Sequence, residues 1–172
     1  SHIRGSAETI AAAQRASARY FQRPDADHLD LDPAATSLSG YRAQVDLGKR
    51  AGTWIWNLAL TATSPGYEIN DMGFQLNADR FMVDPNITYE QNTPGALLRR
   101  WSLRFGPDFD FNHGGDLIRF IPMLTYNYQL RNYWSGTLRY NYLGTVLSDR
   151  LTRGGPLARL PRGTLYGFTL AS

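Results

Sequence analysis

Two stretches of this chain, residues 97 to 111 and 116 to 130, alternate apolar and polar side chains almost without a break for about fifteen positions each. In the first, Trp101, Leu103, Phe105, Phe109 and Phe111 are interleaved with Arg100, Ser102, Arg104, Asp108 and Asp110. In the second, Ile118, Phe120, Pro122, Leu124, Tyr126, Tyr128 and Leu130 share one parity. A period of two places successive side chains on opposite faces of a strand. Strands of globular proteins usually stop near ~5–6 residues, whereas a tilted membrane-crossing strand needs ~9–11. Length, more than composition, therefore constrains what this chain can become.

The same period recurs elsewhere. Tyr41, Ala43, Val45 and Leu47 alternate with Arg42, Gln44 and Asp46, and a turn is expected from Lys49 to Gly52. Trp54, Trp56, Leu58, Leu60 and Ala62 follow on one face, with Ile55 as the exception on the other. Phe74, Leu76 and Ala78 are out of phase with Phe81 and Val83, which predicts a bulge or corner near Asp79 and Arg80. His113-Gly114-Gly115 reads as a tight turn. Beyond a turn at Asn132, Trp134, Gly136, Leu138, Tyr140 and Tyr142 align, and a last strand is expected from Gly163 to Leu170. Residues 1–38 differ in texture. Ser6 to Phe21 holds good helix formers with Ser6 placed to cap, Ile10, Ala13, Ser17 and Tyr20 share a weak apolar stripe, and Pro24 is read as its stop. Asp25 to Pro33 reads as loop. The expected organisation is thus 1–38, a helix and acidic loop, and 39–172, strands and loops.

The fold class predicted is all-β: an antiparallel up-and-down transmembrane β-barrel, present here as a partial barrel of about seven or eight long strands, with a short N-terminal helix. Composition agrees without deciding. Charged residues are 19% and aromatics 13%, the mean hydropathy is −0.39, and no apolar run of ~18 residues could form a spanning helix. Aromatics such as Trp101, Phe111, Tyr128, Tyr133, Trp134 and Tyr142 fall toward strand ends, where interfacial girdles lie. Lys49 is the only lysine among 18 cations. The arginines are scattered singly or in pairs, so nucleic acid is not an expected partner. Cysteine is absent, which removes disulfides and thiolate metal sites.

Three segments carry a resemblance: Gln22-Arg23-Pro24-Asp25, Ser64-Pro65-Gly66-Tyr67-Glu68-Ile69-Asn70-Asp71-Met72-Gly73-Phe74, and Leu151-Thr152-Arg153-Gly154-Gly155-Pro156. Together they resemble the C-terminal outer-membrane barrel domain, of unknown function, of a bacterial family whose members begin with a carbohydrate-binding-like module of the family-nine type. The resemblance implies an outer-membrane location and a barrel larger than this chain, and it supplies no catalytic residue. The chain starts at Ser1 without a signal-like region and stops at Leu170-Ala171-Ser172 rather than on a terminal aromatic, so a fragment is expected. A self-contained barrel of about eight strands is the lesser alternative.

Candidate chemistry is thin. Asp25, Asp27, Asp30 and Asp32 offer calcium the right ligand type, but not EF-hand spacing; turn capping near Pro24 and Pro33 is the ordinary role. Glu68, Asn70 and Asp71 could split acid and base roles between two carboxylates, against a turn shaped by Gly66 and Gly73. His2, His28 and His113 are too scattered in sequence to suggest metal ligation, and no G-x-S-x-G elbow occurs. Thr152-Arg153-Gly154-Gly155-Pro156 reads as a loop folded into the lumen or over its mouth, where Arg153 could meet an acid. Arg42, Arg100, Arg104 and Arg139 fall on polar faces with Asp108 and Asp110: either a selectivity lining for anionic or sugar solutes, or ion pairs with Asp46, Asp108 and Asp110 across strands. No cofactor is expected. The expected partners are the lipid bilayer, the rest of its own barrel, and a glycan or small solute.

The leading functional expectation is a non-enzymatic outer-membrane barrel segment with a structural or transport role, linked to carbohydrate handling through the absent module. A soluble β-rich carbohydrate-binding module, stacking sugars on Trp and Tyr, is the alternative. A glycan-active hydrolase using Glu68 or Asp71 is the weaker one.

Overall fold

A computed structural model describes residues 1–69 and 73–172. The chain is all-β, with antiparallel pairing throughout and one short helix. β1 (His2–Arg4) leads into α1 (Ala7–Arg15), and β2 (Ser37–Ser39) returns to pair with β1. Ser6 caps α1, its hydroxyl accepting from the Thr9 N–H at 3.2 Å, while Glu8 and Arg15 complement the helix dipole at either end. The helix ends at Arg15, well before Pro24, because Ala16 already has extended ψ. Its buried face is Ile10, Ala11 and Gln14, not the stripe of Ile10, Ala13 and Ser17. The rest of the expected helix, through Phe21, is a series of turns.

The long strands follow: β3 (Arg42–Lys49), β4 (Trp54–Thr63), β5 (Arg80–Gln91), β6 (Leu98–Phe111), β7 (Leu117–Leu130) and β8 (Ser135–Leu143). A small hairpin, β9 (Val146–Ser148) with β10 (Ala158–Leu160), precedes β11 (Gly163–Ala171). One seven-stranded sheet runs β11-β8-β7-β6-β5-β4-β3, an up-and-down meander interrupted only by that hairpin. The sheet does not close on itself: β3 and β11 each pair on one side only, so a self-contained small barrel is excluded as the form adopted here.

Three local departures have physical reasons. The phase slip at Asp79 is no bulge within a strand: β5 begins at Arg80, and Asp79 sits in the left-handed region at φ 57°, where aspartate is among the tolerated residues. The segment with Phe74 and Leu76 is loop, not strand. β5 continues through Pro85 to Gln91, and its pairing with β6 lapses between Val83/Phe109 and Ile87/Phe105, where Pro85 and Pro107 have no N–H to give.

Register turns alternation into two continuous faces. Trp54, Tyr89, Leu103, Tyr126, Leu138 and Phe168 form one row across six strands, and Trp56, Ile87, Phe105, Leu124, Tyr140 and Tyr166 form the next. The opposite face carries Thr88, Arg104, Thr125 and Arg139 in one row and Glu90, Ser102, Asn127, Thr137 and Thr169 in another. The buried apolar residues are Ile10, Ala11, Ala18, Ala26, Leu38, Ala78 and Val146, and no long strand contributes one. The apolar face is instead open, with Trp54 53%, Tyr166 78% and Phe168 62% exposed. Burying a single large apolar side chain contributes about 1.5–3 kcal/mol, so this face holds most of the chain's unused stabilising surface.

Candidate functional site

The meander sorts its connections by end. Residues 50–53, 92–97 and 131–134 join strands at one end; residues 64–79, 112–116 and 144–162 join them at the other, where residues 1–41 also pack. We refer to these as the turn end and the loop end.

At the turn end the apolar face carries connected aromatic rings. Trp54 meets Tyr89 edge-on at 4.9 Å between centroids, Tyr89 meets Trp101 at 5.2 Å, Trp101 meets Tyr126 at 5.9 Å, and Tyr126 stacks on Tyr128 at 5.8 Å. Tyr128 lies over Gly136 of the neighbouring strand: a Cβ there would fall 2.5 Å from the Tyr128 hydroxyl and 2.8 Å from the Thr169 carbonyl oxygen.

At the loop end, charged side chains from distant segments converge on two carboxylates. Asp79, 2% exposed, accepts from Arg23 Nη2 at 3.3 Å, from the His113 backbone N–H at 3.0 Å, and lies 2.9 Å from His28 Nε2 and 3.0 Å from His113 Nδ1. Arg80 forks onto Asp149, Nη2 to Oδ1 at 2.9 Å and Nη1 to Oδ2 at 2.7 Å. Arg23 Nη1 stands 3.8 Å from the same Asp149. Arg150 donates to the carbonyls of Ser17, Leu76 and Ala18. Arg19, buried, joins Glu68 at 2.6 Å and also donates to the Tyr67 carbonyl. Burial would push the Asp79 carboxyl up, but the hydrogen bonds from His28 and the His113 amide, with the charge of both imidazoles, hold it below its ordinary value. Arg23, His28 and His113, from separate segments, are thereby tied to one carboxylate.

The residues singled out from sequence fall into place unevenly. Arg42, Arg100, Arg104, Arg139, Asp108 and Asp110 all lie on the polar face by register. Asp108 is paired with Arg119 at 3.2 Å, Asp110 stands opposite Arg119, and Arg42 reaches Thr63 at 3.3 Å. Asp46 accepts from Gln44 at 2.8 Å. Glu68 is engaged by Arg19; Asn70 and Asp71 lie outside the described residues. Asp25 accepts from the Leu157 N–H and Asp32 from the Ala34 N–H, while Asp27 and Asp30 are exposed. Among the described residues no three His, Asp or Glu side chains form a metal-binding group. In the loop Arg153-Gly154-Gly155, Arg153 is exposed with φ 54°, and the arginine that reaches across is Arg150. Gly154, at φ 97°, packs so closely on Gln22 that a Cβ would lie 2.3 Å from its Nε2.

The converging group escaped the sequence reading. His28 and His113 are far apart in the chain, yet both meet at Asp79. The available signal was the resembling motif at 22–25, which contains Arg23, and the one at 151–156, which follows Asp149 and Arg150, together with the phase slip at Asp79. Among the clefts on the polar face, two border the loop-end cluster and the turn end. One of about 510 Å³ beside the cluster is lined by Arg80, Asp110, Arg119, Asp149 and Arg150 with Ile121 and Leu160. The other, about 380 Å³ near the turn end, is lined by Glu90, Arg100, Ser102, Asn127, Gln129 and Thr137.

Comparison with known proteins returns one result. A family model described as a domain of unknown function, DUF5916, matches residues 8–149, which spans both the N-terminal cluster segments and the strands through β9. No curated protein and no solved structure matches the chain.

Proposed function

We propose that this chain, which belongs to the DUF5916 family, forms part of the wall of an outer-membrane β-barrel with a structural or transport role and no catalysis of its own. The observation that carries this reading is the exposed apolar face spread over seven paired strands. An apolar surface of this extent is a contact surface, and closed barrels are the only sheets that cross a bilayer with every backbone group satisfied. Trp101 and Phe111, both on that face, lie ten residues apart on β6. At a rise of ~3.3 Å per residue and a tilt of ~40°, they span ~25 Å, the height of the lipid-facing belt of such barrels. Only short connections at one end, and two long ones beside a short one at the other, fit the same architecture.

The polar face then looks inward. Its amides, hydroxyls and paired charges would form a wetted wall, and the cleft of about 380 Å³ would offer it to a polar solute. A link to carbohydrate handling through an N-terminal module belongs to the same proposal. Closure needs strands that pair with β3 and β11, from the same polypeptide or another copy, since both edges present free backbone groups.

The test is detergent dependence of the purified chain. We expect aggregation in plain buffer, monodispersity in a maltoside detergent with β-type circular dichroism, and quenching of tryptophan fluorescence by brominated lipid chains. A monodisperse, β-folded chain in plain buffer overturns the proposal in favour of a soluble module.

A further inference from the structure

The two ends of the sheet differ in what charge they leave bare. At the loop end exposed charge is mixed: Arg19, Arg23 and Arg80 are buried against Glu68, Asp79 and Asp149, and the exposed Arg4, Arg15, Arg153, Arg159 and Arg162 stand among the exposed Glu8, Asp25, Asp27, Asp30 and Asp32. At the turn end exposed charge is almost all of one sign. Lys49 and Arg50 lead the β3–β4 turn, Arg99 follows the β5–β6 turn, and Arg131 opens the β7–β8 turn; all four are exposed. Across residues 49–53, 89–100 and 129–135 the only acidic side chain is Glu90, which belongs to the row on the polar face.

These cations border the aromatic row directly. Lys49 stands opposite Trp56 on the apolar face, and Trp54 opens the next strand. The Arg99 guanidinium lies 4.6 Å over the Tyr133 ring. Leu97, Tyr133 and Trp134 are themselves exposed beside it. Long basic side chains bury their stems in an apolar belt and send their charge to the polar boundary, and Trp and Tyr settle at the same depth.

We propose that the turn end is a docking rim for the phosphate groups of anionic phospholipids, so that the molecule sits in a bilayer with its turn end in the leaflet richer in negative headgroups. This rests on the membrane reading given above. Each Lys or Arg near an anionic surface strengthens association about fivefold, and the effect is screened by salt.

Co-flotation of the full chain with vesicles tests it, using neutral phosphatidylcholine alone and the same lipid doped with phosphatidylglycerol. The expected result is association with both, stronger by at least about tenfold on the doped vesicles in low salt, with the preference removed by high salt. Combining Lys49→Glu, Arg50→Glu and Arg99→Glu should abolish the preference while binding to neutral vesicles remains; the corresponding Gln substitutions should reduce it, and Arg15→Glu at the loop end should leave it intact. Equal association of the unaltered chain with both vesicles overturns the rim and leaves the membrane reading standing. So does a preference that survives the charge reversal, or one that Arg15→Glu removes as effectively. Failure to associate with either vesicle overturns both.

Discussion

Replacing Asp79 with asparagine isolates the charge at the centre of the loop end, because asparagine also tolerates the left-handed backbone that position adopts. The amide oxygen can keep both contacts now made by Oδ1, from the His113 N–H and the His113 ring. The amide nitrogen that takes the place of Oδ2 cannot accept from Arg23, so the bond at 3.3 Å becomes a meeting of two donors, and the contact with His28 Nε2 at 2.9 Å survives only with that nitrogen unprotonated. Arg23 is 1% exposed and already has its Nε and Nη1 without hydrogen-bond partners. A hydrogen bond to a charged group contributes about 1.5–3 kcal/mol, and breaking a buried pair from one side costs about 3–5. Asp149, 3.8 Å from Arg23, offsets part of this, which sets the expected loss at about 2–3 kcal/mol. Asp79→Ala should lose roughly 1 kcal/mol more, from the left-handed backbone alone. Urea unfolding of the full chain in detergent measures the loss, and protease sensitivity of residues 1–40 locates it. A change below about 0.5 kcal/mol, the size of an ordinary surface substitution, with unaltered proteolysis, would refute the argument that Asp79 holds these segments.

Three further outcomes follow from other parts of the molecule. Because the folded Asp79 carboxyl lies below its ordinary value, its contribution is complete above about pH 4 and is lost as pH falls through the lower folded value; acid titration should destabilise the unaltered chain more steeply than the Asp79→Asn chain. Phe105→Arg, in the middle of the apolar face, should cost about 2–4 kcal/mol in refolding into vesicles, whereas Arg104→Gln on the polar face should change it by no more than about 0.5 kcal/mol. Gly136→Ala should cost about 1–3 kcal/mol from overpacking, since the added methyl meets both the Tyr128 ring and the Thr169 carbonyl; unfolding midpoints of Gly136→Ala with and without Tyr128→Ala separate the two clashes.

Most of the sheet was legible because its signal is local and repeated. Alternation placed β3, β4, β6, β7, β8 and β11 to within a residue or two, since a period of two survives any arrangement of neighbours. β5 was half-missed because Pro85 interrupts the pattern that would have announced it. The helix was overextended because alanine-rich sequence carries propensity but no stop, and Ala16 turns out of the helix without a proline or glycine to mark it. The loop-end cluster was invisible for a different reason. Its members, Arg23, His28, Asp79, Arg80, His113 and Asp149, lie in separate connections, and nothing in one-dimensional spacing records which loops share an end of a sheet until the strands between them are counted and aligned.

That cluster also makes pairing errors expensive. Asp79 is fixed to the start of β5, His113 to the turn between β6 and β7, and Asp149 to the residue after β9. A slip of one residue in any intervening ladder moves a strand end by ~3.3 Å and exchanges its two faces. Such a slip would carry the Asp79 carboxylate out of reach of Arg23, or His113 out of reach of Asp79, and leave buried charge uncompensated. The N-terminal segment can seat its arginines only on a correctly aligned set of hairpins, so it serves as a checkpoint read out once the sheet is complete. Loop-closure entropy disfavours contacts of such long sequence separation until the strands between them are paired, so residues 1–40 are expected to dock last although they are the first part of the chain.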